Sequence, residues 1–312
     1  MCKLSRGLGD VYKRQQYYFD RGIDWDTLVR VTENEFADAE GEGFSTTEEA
    51  VAFYRDIVEM FGQFVAEEIK PYEKEIDEKG VDFVDGEVVF PERLAGIFEK
   101  IKDLDLHGLT VPRELGGMNA PMMVYFLNSE LMARADVSAM AHHGFHGGMA
   151  MAALVFSALE GSSDIDPVTG RINDTRWRDV IEEIVSGEAW GCMDITEPDA
   201  GSDMAALRSV GEQDADGNWY VTGEKIFITS GHGKYHFVIA RTEDADPDDP
   251  MGGLNALSMF LVRTYEDDAD GNRNRIVQLS RVEEKLGHHG SATCGLVFDK
   301  APAELVGQRG EG

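Results

Sequence analysis

The stretch ITEPDAGSDMAAL, at residues 195–207, lies between a helical half and a strand-rich half of the chain and concentrates several polar groups. Within eight residues it offers hydroxyls at Thr196 and Ser202, a carboxylate at Glu197 and a glycine at Gly201. Small hydroxyls and backbone N–H groups bind phosphates and polar ring edges, and glycine lets the backbone approach a ligand closely. The stretch is a candidate cradle for a nucleotide cofactor, in which Glu197 is expected to orient the loop rather than act as a base.

A second stretch, GEKIFITSG at residues 223–231, adds the aromatic ring of Phe227 and the hydroxyl of Thr229 on an extended strand. Neither GxGxxG after a strand nor GxxxxGK[ST] occurs in the sequence, so a Rossmann or P-loop nucleotide site is unsupported. Taken alone, each stretch is more typical of an ordinary loop or of a strand entering a turn. Their combination with the neighbouring motifs favours a binding site.

Five segments follow one another along the chain: LTVPRELGGMN, ITEPDAGSDMAAL, GNWYVTGEKIFITSG, LSMFLVR and EEKLGHHGSATCGLVFDKAPAELVGQRGEG. In order and spacing they resemble the consecutive signatures of the acyl-CoA dehydrogenase family, and the resemblance covers roughly residues 48–312. Within the last segment, KLGHHGSATCGLVF is more similar to the longer subgroup that includes 3-methylmercaptopropionyl-CoA dehydrogenase. The N-terminal extension and the insert before Arg281 also resemble that subgroup.

The resemblance implies an FAD enzyme that oxidises an acyl-CoA thioester to the 2,3-enoyl-CoA. In this family a glutamate takes the Cα proton while the Cβ hydride passes to flavin N5, and an electron-transferring flavoprotein accepts the electrons. An acyl-CoA oxidase that uses O2 is the main alternative among enzymes. From another class, the alternative is an inactive fragment that binds flavin or acyl-CoA.

The resemblance also implies roles for particular residues. Phe227 would lie against the isoalloxazine ring, where the family often has tryptophan, and Thr229 would lie near N5. Thr196 would bind the pyrimidine end of the flavin, and Ser202 would meet the pyrophosphate or the CoA. The complete set implied to bind the cofactor is Met193, Ile195, Thr196, Gly201, Ser202, Phe227, Ile228 and Thr229.

The segment AHHGFHGG contributes a second candidate region, which the resemblance places near the acyl pocket. Phe145 and His146, together with Ser202, are the candidate substrate-binding residues. Its histidines, His142, His143 and His146, could suggest a metal site, but no carboxylates follow at a matching spacing, so no metal is expected. The identity of the acyl group cannot be read from these residues.

Two features depart from the family pattern. Asp194 stands two residues before Thr196, where the usual signature has a small residue, which puts the local flavin contacts in question. The sequence also ends at GQRGEG, where the family continues into a C-terminal helical bundle that carries the catalytic glutamate. We therefore nominate no catalytic base and expect the chain alone to be inactive.

Hydrophobic periodicity divides the sequence into a helical half and a strand-rich half. Apolar residues at three-and-four spacing predict helices from about Ser45, with a bend or end at Pro71, and at 91–104, 120–134, 149–159 and 174–186. After Gly191 the period changes to two. The strands predicted there are NWYVTGEKIFITSG, YHFVIARTE, LSMFLVRTY, RIVQLSRVEEK and TCGLVFDK.

These elements predict an α+β multidomain protein, with an all-α domain followed by an antiparallel β-barrel-like domain. The expected boundaries are a foreign or disordered leader at 1–15, an extension at 16–44, the helical domain at 45–190, the β domain at 191–302, and the start of a linker at 303–312.

Composition excludes several classes of partner. Acidic residues outnumber basic ones 59 to 29, and the net charge of −30 argues against nucleic acid and anionic membranes. The cysteines, Cys2, Cys192 and Cys294, lack the spacing of a zinc ribbon or a disulfide framework. We therefore expect a cytoplasmic protein. The family resemblance, not the composition, implies that the parent enzyme is a homo-dimer or homo-tetramer.

Overall fold

The computed structural model describes residues 8–246, 248, 250–267 and 271–312, with side chains from Lys13 onward. The first seven residues of the expected leader lie outside this description. Residues 8–15 differ from the expected disorder, because they belong to the first helix, in which the Gln15 amide donates to the Leu127 carbonyl.

Helices dominate the first part of the chain, as predicted, and two small hairpins interrupt them. Thr46 caps one long helix by accepting the Glu49 N–H, and Pro71 stands where that helix has given way to a π turn and then a 3₁₀ turn. The helices are α1 Leu8–Arg21, α2 Trp25–Thr32, α3 Thr47–Phe64, α4 Glu73–Lys79, α5 Glu92–Asp103, α6 Met122–Ala135, α7 Val137–Leu159, α8 Arg178–Val185 and α9 Gly252–Asn255.

Helix α7 is longer than its sequence predicts, since it starts at Val137 rather than near residue 149. Its glycines disfavour a helix in isolation, but Gly144 and Gly147 pack closely against neighbouring groups. A Cβ at Gly147 would lie 3.1 Å from the His107 carbonyl oxygen, and one at Gly144 would lie 2.8 Å from the Tyr125 hydroxyl. The glycines therefore let α7 approach its neighbours closely.

The second half forms a small closed barrel. Its five main strands pair in the ring β7, β6, β8, β9, β13 and back to β7, and β12 adds to β13. The strands are β1 Asp82–Val84, β2 Glu87–Val89, β3 Ser163–Ile165, β4 Ile172–Thr175, β5 Gly191–Asp194, β6 Val210–Gln213, β7 Trp219–Thr229, β8 Tyr235–Arg241, β9 Leu257–Arg263, β10 Tyr265–Asp267, β11 Arg273–Arg275, β12 Val277–Val282 and β13 Thr293–Val306.

The predicted barrel is confirmed, with two strand pairs that are parallel rather than antiparallel. The short strand β5 runs parallel to β8, with Cys192 opposite His236, and β6 pairs with β8 in parallel at Val210 and Arg241. Alternate residues of β8 face opposite sides: Phe237 packs towards the helices, whereas Val238 faces the barrel interior. This alternation decides which side chains of β5 and β8 reach the interior.

Two expected boundaries differ from the structure. Residues 303–306 belong to strand β13 and pair with β9, so they are not a linker. Within the extension at 16–44, Phe19 and Val29 are buried in the helical core, so this segment is part of the helical domain. Across the described part of the chain, no helix is both long and apolar enough to span a lipid bilayer.

Candidate functional site

The two candidate stretches meet where β5 ends beside the last residues of β7. The Ile226 N–H donates to the Thr196 carbonyl oxygen at 2.9 Å, which joins the loop after β5 to the β7 segment that carries Phe227. We call residues 195–202 and 226–229 the cradle. The structure thus brings together two segments that the sequence separates by about two dozen residues.

Phe227 occupies an unusual backbone conformation at a bulge in β7. Its φ is +60°, in the left-handed region that an aromatic residue rarely adopts, and the pairing with β13 shifts register at this point. The bulge turns the ring away from the barrel interior, so 58% of the residue is exposed. A strained backbone that exposes a large apolar ring is typical of a ligand-contact position.

The buried Lys225 supports the cradle from inside the barrel. Its Nζ donates to the Ile195 carbonyl at 2.9 Å, to Glu197 Oε1 at 2.8 Å and to the Ile239 carbonyl at 2.7 Å. Glu197 also accepts the backbone N–H groups of Arg208 and Ser209, at 2.6 and 3.0 Å. The prediction that Glu197 orients the loop is confirmed.

The charges of this pair follow from its surroundings. Burial raises the pKa of the Glu197 carboxyl, but the hydrogen bonds from Lys225 and Ser209 outweigh burial and hold that pKa below its ordinary value. Burial lowers the pKa of Lys225, and its bond to Glu197 opposes that shift. With three acceptors around Nζ, Lys225 remains a fully buried ammonium group.

The loop after Glu197 forms a tight turn that leaves its tip open to solvent. Glu197 and Ala200 exchange backbone hydrogen bonds at 3.0 and 3.1 Å, and Gly201 and Ser202 beyond them are exposed. Among the described residues other than Gly201 and its two chain neighbours, no heavy atom lies within 4 Å of a Cβ built at Gly201. The space over Gly201 is therefore free for a ligand to approach the backbone.

Three hydroxyls of the cradle are available for a ligand. Thr196 and Thr229 are half-buried and Ser202 is exposed, and in the described part of the chain none of these hydroxyls hydrogen-bonds to another group. Met193 and Ile195 are half-buried on the outer side of β5. The side chain of Ile228 packs in the barrel interior, so only its backbone can face a ligand.

Asp194, the departure from the family pattern, points away from the cradle. Its side chain is buried in the barrel interior, where Oδ2 lies 2.7 Å from His236 Nδ1. The alternation of side chains along β5 explains this placement. Because its side chain lies in the barrel interior, Asp194 cannot disturb the flavin contacts of the cradle by touching the flavin directly.

Of the histidines on helix α7, His142 lies at the interface with the barrel, whereas the ring of His143 stacks on Phe61 in the helical core. The Ala292 N–H donates to His142 Nε2 at 2.9 Å, so the Nδ1–H of His142 donates to Ser230 Oγ at 2.8 Å. His146 is fully buried, with its ring centre 4.2 Å from that of His107 and 3.8 Å from that of Trp190.

The structure places the two candidate substrate-binding residues of α7 differently. His146 has no exposed surface, and Phe145 is half-buried against the barrel. Neither ring nitrogen of His146 finds a hydrogen-bond partner in the described chain. A role for either residue in substrate choice stays a prediction.

Burial keeps this group of histidines neutral. Burial is the main cause that lowers the pKa of His107 to about 3, of His143 to about 4 and of His232 to about 3. The pKa values of His142 and His146 are also far below the ordinary value for the same main reason. Protonation of these rings would place charges among aromatic side chains.

Sequence reasoning missed three residues that support the site: Lys225, Trp190 and Ser230. Lys225 left a signal, since a lysine inside the apolar run of a strand needs a buried acceptor. No sequence pattern indicated Trp190 or Ser230, because their contacts with α7 join residues that are distant in sequence.

Together, the helical domain and the closed barrel define a two-domain protein, and the cradle between β5 and β7 is its candidate small-molecule site. The family model described as "Acyl-CoA dehydrogenase, N-terminal domain" matches residues 52–160, and "Acyl-CoA dehydrogenase, middle domain" matches residues 192–301. The chain belongs to the acyl-CoA dehydrogenase family.

Individual relatives agree with this assignment. The 3-methylmercaptopropionyl-CoA dehydrogenase of Ruegeria pomeroyi is 31% identical over 266 residues, which are 83% of this chain and 42% of the relative. The butyryl-CoA dehydrogenase structure from Megasphaera elsdenii has a TM-score of 0.65 at 20% identity, over 83% of this chain and 59% of that one.

A further solved structure, an acyl-CoA dehydrogenase complexed with FAD from Bacillus anthracis, has a TM-score of 0.60 at 22% identity. The match covers 84% of this chain and 39% of that one. The two structural matches show the same fold. This chain spans 42% of the length of the curated relative from Ruegeria pomeroyi.

Proposed function

We propose that this chain provides the helical and barrel domains of an FAD-dependent enzyme that oxidises an acyl-CoA thioester to the 2,3-enoyl-CoA. The observation that carries the proposal is Phe227, an exposed aromatic ring held in a strained conformation beside unpaired hydroxyls. Strain of this kind persists only where the surrounding structure enforces it. Here Lys225 and the β7 bulge enforce it.

The cradle fits the polar and apolar parts of FAD. Its three free hydroxyls can bind the pyrimidine and phosphate groups, and the open space over Gly201 admits a phosphate to the backbone. When bound, FAD would supply the acceptor for the hydride removed from the substrate. The ring of Phe227 would cover the isoalloxazine and exclude water, and Thr229 would donate a hydrogen bond near N5.

The rest of the proposal follows the family. An electron-transferring flavoprotein would accept the electrons, and the parent enzyme would be a cytoplasmic homo-oligomer. We take residues 8–190 as the helical domain and 191–306 as the barrel domain. The catalytic base is not among the residues that we assign.

The first experiment is a visible absorption spectrum of the purified chain with and without added FAD, followed by anaerobic addition of several acyl-CoA esters. We expect a bound flavin band whose shape differs from that of free FAD. Bleaching by one ester would identify the substrate class. A chain that takes up no FAD at any concentration would contradict the proposal, and fast reoxidation by O2 would favour an oxidase.

The cradle hydroxyls give a specific prediction. Replacing Thr196 by valine removes a ligand hydrogen bond without breaking one in the protein, so the Kd for FAD rises about five-fold while stability is unchanged. The matched control is Thr264→Val, because the Thr264 hydroxyl is buried between His236 and the Gly233 carbonyl. That variant should lose about 1–3 kcal/mol of stability. Equal stability losses in both variants would argue against a free hydroxyl at Thr196.

Phe227 gives a second prediction. Replacing it by glycine relieves the left-handed backbone strain, so the free energy of unfolding stays the same or rises by about 1 kcal/mol. The loss of the ring should nevertheless raise the Kd for FAD about ten-fold. Urea denaturation and flavin fluorescence titration measure the two effects separately. A large loss of stability with unchanged FAD affinity would assign Phe227 to the fold instead.

A further inference from the structure

The barrel interior contains a group of polar side chains that the proposed reaction does not use. Cys192 and Asp194 lie two residues apart on β5 and share a face, and His236 lies opposite Cys192 on β8. All three residues have no exposed surface. One ligand atom from each lies within 4.8 Å of the other two.

The hydrogen bonds around His236 fix which of its ring nitrogens is free. The Thr264 hydroxyl donates to the Gly233 carbonyl at 2.5 Å, so its oxygen accepts the Nε2–H of His236 at 2.8 Å. In the neutral imidazole, Nδ1 therefore carries a lone pair. That lone pair faces Asp194 Oδ2 at 2.7 Å and Cys192 Sγ at 3.1 Å.

The three ligand atoms thus converge on one buried point. Without a metal, the Cys192 thiol can donate its proton to the Tyr235 carbonyl oxygen, which lies 3.6 Å from Sγ. A divalent cation that displaces this proton can bind the resulting thiolate, the carboxylate and the imidazole at once. Asp194 Oδ1 finds no hydrogen-bond partner in the described part of the chain, although it is buried. Binding through both of its oxygens would give the cation a fourth ligand atom.

From this geometry we propose that Cys192, Asp194 and His236 form a structural metal site in the barrel, with Zn²⁺ as its ion. A thiolate, an imidazole and a carboxylate are the ligands that zinc prefers, and the thiolate disfavours magnesium and calcium. The hydrogen bond from His236 Nε2 to Thr264 is the kind that orients a metal-bound histidine. The proposal does not depend on flavin binding.

The site has a structural consequence. Zinc–ligand bonds of about 2.0–2.3 Å require the Nδ1–Oδ2 and Nδ1–Sγ separations to widen by about 0.5 Å, which small rotations of the side chains can supply. Because the residues are fully buried, the ion would enter during folding. The metal would then fasten β5 to β8, directly before the cradle.

The test is to refold the unfolded full chain, without an affinity tag, in the presence of Zn²⁺ or Co²⁺ and to measure the bound metal after gel filtration. We expect one ion per chain, a higher Tm than in chelator, and a thiolate-to-cobalt charge-transfer band. Cys192→Ser should abolish the band and the bound metal. Cys294→Ser is the matched control, since Cys294 is buried in the same interior.

The wild-type cobalt spectrum decides the question even if Cys192→Ser fails to fold. A folded wild-type chain that retains no metal would overturn the proposal in favour of a His236–Asp194 ion pair held by a proton. Metal that remains bound without a thiolate band, or that survives Cys192→Ser, would be adventitious and would overturn it equally. Failure to bind FAD in the same preparation would leave this result unaffected.

Discussion

Replacing Lys225 by methionine lowers the free energy of unfolding by about 3–5 kcal/mol, the usual cost of leaving a buried charge without its partner. Lys225 is fully buried, and its removal deprives Glu197 and two carbonyls of a donor. The same substitution frees the loop that carries Thr196, so FAD affinity should also fall. Urea denaturation at pH 7 and FAD titration measure the two losses.

The control separates the buried pair from ordinary surface charge. Lys79 and Glu75 form an exposed ion pair one turn apart on α4, so Lys79→Met should change stability by less than about 0.5 kcal/mol. The double variant with Lys225→Met and Glu197→Gln should be less unstable than the sum of the single variants. Strict additivity would show that the two side chains act independently and would contradict this account.

The architecture could be predicted from the sequence because local patterns agree with the tertiary fold. Apolar residues at helical spacing mark α5 and α6 within one or two residues, and alternation marks β7, β8 and β9. Helix α7 is the instructive error. Asp136 caps its start, and the part before residue 149 contains Gly144 and Gly147, which disfavour a helix alone but allow close packing in context. A single sequence does not reveal that packing.

The cradle was predictable for a different reason. Hydroxyl, glycine and aromatic residues at short spacing carry their chemistry within two stretches, and the family resemblance joins the stretches. The supporting contacts were not predictable in this way. Lys225 reaches Glu197 across the barrel, and Asp194 meets His236 from another strand. Such pairs depend on strand register, which is set by the whole sheet.

The buried histidines in and around helix α7 predict a steep loss of stability in mild acid. The folded pKa values of His107, His143 and His232, about 3, 4 and 3, lie below the value near 6.5 of an unfolded histidine. The unfolded chain therefore binds more protons as the pH falls below about 6.5. The three neutral histidines contribute their full share of the free energy of unfolding above about pH 6.5, and this share is lost as the pH falls towards about 4.

The size of the effect is about 1.4 kcal/mol per pH unit for each histidine, or about 4 kcal/mol per unit for the three, between pH 6 and pH 4.5. Urea denaturation at several pH values measures this slope, and His143→Leu should reduce it by about one proton. Phe98→Leu is the control, because Phe98 packs on Trp190 in the same group and carries no proton. It should lower stability equally at every pH. If His143→Leu kept the full slope, the acid sensitivity would originate in the carboxylates instead.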